Sequence, residues 1–203
     1  DAANSGEDAN IAIGHSALTA LDDAAADHNT AIGSYSGERM TTGKENSLFG
    51  HMSGDQLTTA SGSVMLGQDA GGSVTTGNNN VAIGYQAMQA GTITGDSNIA
   101  IGEHSMGTGA TTGYDNVCVG TGTGKALTSG YGNTFLGNIA GFSHQTGGIN
   151  VFIGQQAAYS ADDVRGAVVI GQATATYMNS DADYTVCIGT EAMNAITTGQ
   201  YNV

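Results

Sequence analysis

Apolar residues occur along this chain in short blocks, each opened by a polar residue and closed by a glycine. The string Asn-x-apolar-apolar-Gly appears as NIAIG ending at Gly14, NTAIG at Gly33, NSLFG at Gly50, SVMLG at Gly67, NVAIG at Gly84 and NIAIG at Gly102. It continues as NVCVG ending at Gly120, NTFLG at Gly137, NVFIG at Gly154, AVVIG at Gly171 and TVCIG at Gly189, so successive glycines lie 17 to 19 residues apart. A fixed period of this length predicts a solenoid. The expectation is a single repeat domain over 1–203, with eleven coils and a truncated twelfth at Asn202 and Val203, cut from a longer array.

In an extended strand, side chains alternate between two faces. The fourth motif position, Ile13, Ile32, Phe49, Leu66, Ile83, Ile101, Val119, Leu136, Ile153, Ile170 and Ile188, shares a face with the second, which runs from Ile11 and Thr30 to Val168 and Val186. That face is apolar and largely β-branched. The third position, with Ala12, Ala31, Leu48, Met65, Ala82, Ala100, Cys118, Phe135, Phe152, Val169 and Cys187, is apolar too but varies widely in size. One coil of this length has an interior for only one of the two rows. The other therefore requires a second surface, and self-association about an axis along the solenoid supplies it. TTG segments such as Thr41–Gly43, Thr75–Gly77, Thr111–Gly113 and Thr197–Gly199 punctuate the coils as turns. A small residue three places after the motif glycine, as at Ala17, Ala70, Ala87, Ala140, Ala157 and Ala192, marks an expected close backbone approach.

Composition narrows the function. The 203 residues include 33 Gly, no Pro and no Trp, with 4 Lys+Arg against 18 Asp+Glu for a formal charge of -14. So few cations exclude counterion-release binding to DNA, RNA or an anionic lipid surface. With 39% hydrophobic and only 11% charged residues, the chain also lacks the signature of disorder. No stretch of about 18 apolar residues is present for membrane insertion, and DAANSGEDAN shows no export signal.

Candidate chemistry is sparse. GTGTGKALTSG, from Gly120 to Gly130, is short of a phosphate loop because Val119 and Ala126 stand where Gly and Ser or Thr are needed. Asn179, Asp181 and Asp183 alternate like an EF-hand opening, but Tyr184 and Thr190 replace the turn Gly and the bidentate Glu. These three, with Asp22, Asp23 and Asp27, read as solvated acidic loops. His15, His28, His51, His104 and His144 fall in different coils or phases and form no metal-ligand set, although His15 and His51 share a phase. Cys118 and Cys187 lie four coils apart, about 19 Å along a rod with strand spacing, too far for a disulfide. Met88, Met106 and Met193, with Leu18 in the same phase, read as core filler on a second strand. Tyr35, Tyr85, Tyr114, Tyr131, Tyr159 and Tyr177 fall in or near turns, in scattered phases, and read as edge packing. No nucleophile elbow is present. No catalytic residue, metal or cofactor is expected.

The unit TTGNNNVAIGYQAM, Thr75 to Met88, and TTGYDNVCVG, Thr111 to Gly120, resemble the head repeats of YadA-like trimeric adhesins and the NxAIGxxA repeat arrays of phage tail fibres. The resemblance spans essentially the whole chain and implies an all-β, left-handed parallel β-roll, homotrimeric, with strands about 4.8 Å apart. Two departures stand out. The coils are longer than the near-fourteen-residue YadA-type repeat, which leaves longer turns as contact surfaces, and the Asn row breaks at Ser63, Ala167 and Thr185. Asn10, Asn29, Asn46, Asn80, Asn98, Asn116, Asn133 and Asn150 are expected to stack their amides along the rod. The function implied is a non-enzymatic structural and adhesive fibre segment of a phage tail fibre, extracellular on the virion, with its own copies and a cell-surface glycan or protein receptor as partners. The receptor-binding residues are unassigned. A bacterial cell-surface adhesin is the alternative and an ice-binding solenoid, prompted by the threonines, a further one. A hexapeptide-repeat acyltransferase fails on phase, since Ile83 is followed at six and twelve residues by Gln89 and Gly95.

Overall fold

The computed structural model describes residues 9–21, 26–89, 91–196 and 201–202. Asp22, Asp23, the turn at 197–199 and Val203 lie outside the described residues. The chain is an all-β parallel solenoid of about eleven turns, without a helix among the described residues.

Eleven three-residue strands form one parallel sheet. They are β1 (Ile11–Ile13), β2 (Thr30–Ile32), β3 (Ser47–Phe49), β4 (Val64–Leu66), β5 (Val81–Ile83), β6 (Ile99–Ile101), β7 (Val117–Val119), β8 (Thr134–Leu136), β9 (Val151–Ile153), β11 (Val168–Ile170) and β13 (Val186–Ile188). β10 (Ser160–Ala161), β12 (Tyr177–Met178) and β14 (Ala195–Ile196) pair in a second parallel sheet. Register is strict: Ala82 lies beside Met65 and Ala100, and Phe135 beside Cys118 and Phe152. Strands this short are stable only because each is hydrogen-bonded to the coil above and the coil below.

The motif glycines from Gly14 to Gly171 sit at places where a side chain has no room, while Gly189, with no described coil above it at that place, is limited by its φ of +131° alone. Gly137 has φ +130°, and a Cβ built on it would lie 2.6 Å from the Gly154 carbonyl oxygen one coil on; at Gly14 the same Cβ would lie 2.5 Å from Gly33 O. The eleven glycines therefore stack as a column of bare backbone. The small residue three places later is a separate position. Ala70, Ala87, Ala140 and Ala157 are fully buried there, whereas Ala17 and Ala192 are only half-buried.

The turn after the glycine is left-handed at two alternate residues. Two and four places on, φ is positive in every coil, as at Gln86 (54°) and Met88 (53°), His104 (54°) and Met106 (51°), or Ile139 (50°) and Gly141 (57°). This conformation costs about 1 kcal/mol or more at each non-glycine residue. The inter-coil ladder continues through it: the Gln86 N–H donates to Gln68 O at 3.1 Å and the Met88 N–H to Ser105 O at 3.0 Å. Hence Met88, Met106 and Leu18 are buried as core, but in a left-handed turn and not on a strand, and Met193 in the same phase is 41% exposed.

The interior is filled by the third motif position, fully buried from Ala31 to Val169, facing the residue four places after the glycine and a row seven places after it, which includes Met40, Leu57, Val74, Leu127 and His144. In six of the coils the size variation along the strand row is matched by the residue opposite. Where the strand carries Ala82 or Ala100, Met88 or Met106 fills the space opposite. Where it carries Leu48, Met65, Cys118 or Phe135, the opposite residue is Gly54, Gly71, Gly124 or Gly141. A Cβ on Gly141 would lie 2.8 Å from the Phe135 ring, and one on Gly124 2.6 Å from Cys118 Sγ. In these coils the two contributors trade volume, as close packing requires, whereas Ala31 faces Gly37 and the space between them is taken by Leu18, Met40 and Leu48.

Candidate functional site

The row that the interior leaves out is the second and fourth motif positions. These side chains stand on the outer face of the eleven-stranded sheet, where Ile11, Ile13, Phe49, Val64, Leu66, Leu136 and Ile188 are exposed, Leu66 at 48% and Ile188 at 66%. Ile32, Ile83, Ile101, Val119, Ile153 and Ile170 are half-buried by their neighbours above and below. Ala82, Phe135 and Phe152 lie on the other face, inside the coil. The strand thus separates the two rows that sequence grouped as core or interface. The outer one is a continuous apolar stripe down the sheet, of the kind that marks an interaction surface.

At one margin of this stripe the asparagines stack inside the rod. Asn29, Asn46, Asn80, Asn98, Asn116, Asn133 and Asn150 are fully buried, and Asn10 half-buried. Asn133 shows the unit geometry. Its Nδ2 donates to Asn116 Oδ1 at 3.0 Å and to Gly147 O at 3.1 Å, while its Oδ1 accepts from the Asn150 N–H at 3.1 Å. The row ties into the turn 14 or 15 residues on: Asn29 and Asn98 donate to the TTG glycines Gly43 and Gly113, Asn80, Asn116 and Asn133 to Gly95, Gly130 and Gly147, and Asn46 and Asn150 to Ala60 and Val164. At Ser63 the hydroxyl substitutes, accepting from the Asn80 N–H at 3.3 Å, and at Ala167 the side-chain ladder ends, with its N–H donating to Asn150 Oδ1. Thr185 Oγ1 takes up the pattern by accepting from Asn202 Nδ2.

Threonine hydroxyls make a third set of rod-parallel bonds. Thr41, Thr58, Thr108 and Thr128 each donate to a carbonyl of the next coil, at Thr58, Thr75, Lys125 and Gln145. A further ladder, not visible in the motif, runs two residues before the Asn position. Ser61 Oγ, Asn78 Oδ1, Asp96 Oδ1 and Asp183 Oδ1 accept from the backbone N–H groups of Lys44, Ser61, Asn78 and Arg165.

The other candidate groups are dispersed. In Gly120–Gly130 the N–H groups of Gly122, Gly124 and Ala126 donate to Glu103, Ala140 and Phe142 of adjacent coils, which leaves no amide cradle for phosphate, and Lys125 lies over the Phe142 ring at 5.5 Å. Asp27 accepts from the N–H groups of Ala9 and His28, and the Ala9 bond is the main cause holding its carboxyl below the usual range. Asp183 serves the outer ladder, and no metal-holding group of His, Cys, Asp or Glu occurs among the described residues. His15, Tyr35 and His51 interleave edge to face, with centroids 5.2 and 6.0 Å apart; Tyr85 packs on His104; Tyr114 stacks on Tyr131, and Phe142 on Tyr159. Phases that look scattered in sequence therefore become neighbours across coils. Tyr177 is exposed.

Cys118 and Cys187 are buried free thiols, and burial pushes both thiols up. His144 is the buried histidine. Its Nδ1 donates to Ala161 O at 2.8 Å, its ring packs edge-on against the stacked Phe135 and Phe152, and its Nε2 has no partner. Burial pulls its pKa below the ordinary value.

Beside this geometry the comparisons with known proteins are silent: no family model, curated protein or solved structure matches the chain.

Proposed function

We propose that the chain is a non-enzymatic structural and adhesive fibre segment: a left-handed β-solenoid rod that assembles as a homotrimer through its apolar strand face and presents its long turns to a cell-surface glycan or protein. The observation that carries this reading is the unbroken outer row from Ile13 to Ile188, apolar in every coil and open along its length in the single chain. Burying a half-exposed aliphatic side chain contributes roughly 1 kcal/mol, and the repeat multiplies this coil by coil. The resemblance of the repeats supports reading such a rod as part of a phage tail fibre, extracellular on the virion, with a bacterial surface adhesin as the alternative. The ice-binding alternative is disfavoured because the hydroxyls of Thr41, Thr58, Thr108 and Thr128 are engaged along the rod.

Sedimentation equilibrium tests this directly. The native chain, 20.3 kDa, is expected to sediment at three times its own mass. Ile83→Asp combined with Ile101→Asp, which leaves the interior row untouched, is expected to abolish that assembly. A folded, non-associating native monomer would overturn the proposal.

A further inference from the structure

Five places after the motif glycines runs a column that contains Glu38, Asp55, Gly72, Gln89, Gly107, Lys125, Phe142 and Tyr159. Where the column is continuous it is packed: Lys125 covers Phe142, and Phe142 stacks on Tyr159 at 5.1 Å. At Gly72 and Gly107 the column has no side chain, and at Gly72 a groove opens. This gap lies between Asp55 and Gln89, and the groove around it, of about 380 Å³, is lined by Asp55, Gln56, Asp69, Ser73 and Gln89. None of its residues belongs to the strands, so it is separate from the apolar stripe.

Its central carboxylate is held in place. Arg39 Nη1 donates to Gln56 Oε1 at 2.5 Å, and Gln56 Nε2 donates to Asp55 Oδ2 at 2.7 Å. The relay fixes Asp55, only 6% exposed, with its other oxygen over the gap: a Cβ on Gly72 would lie 3.3 Å from Asp55 Oδ1. Burial raises the Asp55 carboxyl above its ordinary value. A desolvated acceptor presented to an open groove is complementary to hydroxyl donors, and the amides of Gln56 and Gln89 offer both donors and acceptors around it. The volume falls within the range of small-molecule sites, about 300–1,000 Å³, which is far larger than a single ion requires. Two carboxylates on a chain of charge -14 disfavour anionic ligands.

We propose that this groove binds a neutral saccharide, with the Gly72 gap admitting a sugar ring and the Asp55 carboxylate accepting from its hydroxyls. The choice of a saccharide rests on the fibre reading above; the groove itself does not.

The test is calorimetric titration of the full chain with a panel of neutral disaccharides built from glucose, galactose, mannose and N-acetylglucosamine, with sialyllactose and calcium chloride alone as further probes. At least one neutral member is expected to bind at millimolar concentration or below. Gly72→Gln, which fills the gap and presses on Asp69 O and Asp55 Oδ1, and Asp55→Asn, which removes the charge but keeps the shape, are each expected to weaken that binding at least tenfold at unchanged sedimentation, Asp55→Asn with an unchanged melting midpoint and Gly72→Gln with a slightly lowered one. Gln89→Ala supplies a variant that adds no crowding and is expected to weaken it several-fold. No binding by any neutral member, binding that survives Gly72→Gln, tighter binding of sialyllactose, or calcium as the sole ligand lost in Asp55→Asn would each overturn the site. Saccharide binding retained by Gly72→Gln sinks this groove and leaves the fibre reading standing. A non-associating chain that still binds sugar at Gly72 sinks the fibre reading and leaves the groove.

Discussion

The coils around Ala82 and Phe135 enclose the same cross-section with opposite contents. In the first, a methyl group on the strand faces a methionine, Met88, held at φ 53°; in the second, a phenyl ring faces Gly141 at φ 57°. The backbone is the same left-handed turn in both, so only the division of volume differs. A repeat array can therefore drift in sequence while its coils stay in register, provided large and small residues exchange sides together.

The largest break in this comparison is Phe135→Ala. It removes a ring stacked at 4.7 Å on Phe152 and leaves Gly141 facing a void, and a loss of about 3–5 kcal/mol is expected in denaturant unfolding. Next is Gly141→Met, which drives a side chain into that ring; overpacking of about 1–3 kcal/mol adds to the left-handed cost of about 1 kcal/mol. The double variant sharpens the comparison. Phe135→Ala with Gly141→Met rebuilds the Ala82 coil, and its destabilisation is expected to fall well below the sum of the two, read as a double-mutant cycle. Additive losses would refute the compensation.

Asn116→Ala tests the ladder that both coils share. It strips Gly130 O and the Asn133 N–H of their partners, for an expected loss of about 2–3 kcal/mol by thermal unfolding. The same change to serine, the residue that stands naturally at position 63, is expected to cost less because a hydroxyl still accepts from the next coil.

The smallest effect is a pH dependence confined to the Phe coils. His144 has a folded pKa below its unfolded value near 6.5, so the unfolded chain binds the proton more readily. Its contribution is present above pH 6.5 and declines as the pH falls toward the folded pKa, by at most about 1.4 kcal/mol per pH unit. His144→Leu, which copies Leu127 in the same row, is expected to flatten the stability profile in that window. An unchanged slope would assign the acid sensitivity to the carboxylates.

The repeat itself determined the coil count, the eleven strands of the main sheet and the row of amides, because period and polarity are local properties that survive any arrangement of the rest; the second sheet of β10, β12 and β14 carries no such motif. The Asn row and the TTG turns are both plain in the chain; that Asn116 bonds the Gly130 carbonyl is not, since the partner lies 14 residues away and is set by coil length. Which apolar row turns inward was open in sequence, because Ala82 and Ile83 are both acceptable core residues. Tertiary structure decided it through volume: the interior accepts a row that can trade size with the turn opposite, and the largely β-branched row has no such counterpart. The role of the motif glycine, the burial of His144 in a row of leucines and methionines, and the gap at Gly72 were decided in the same way. Each depends on what stacks above and below a residue, which is a property of the coil's closure and not of its own sequence.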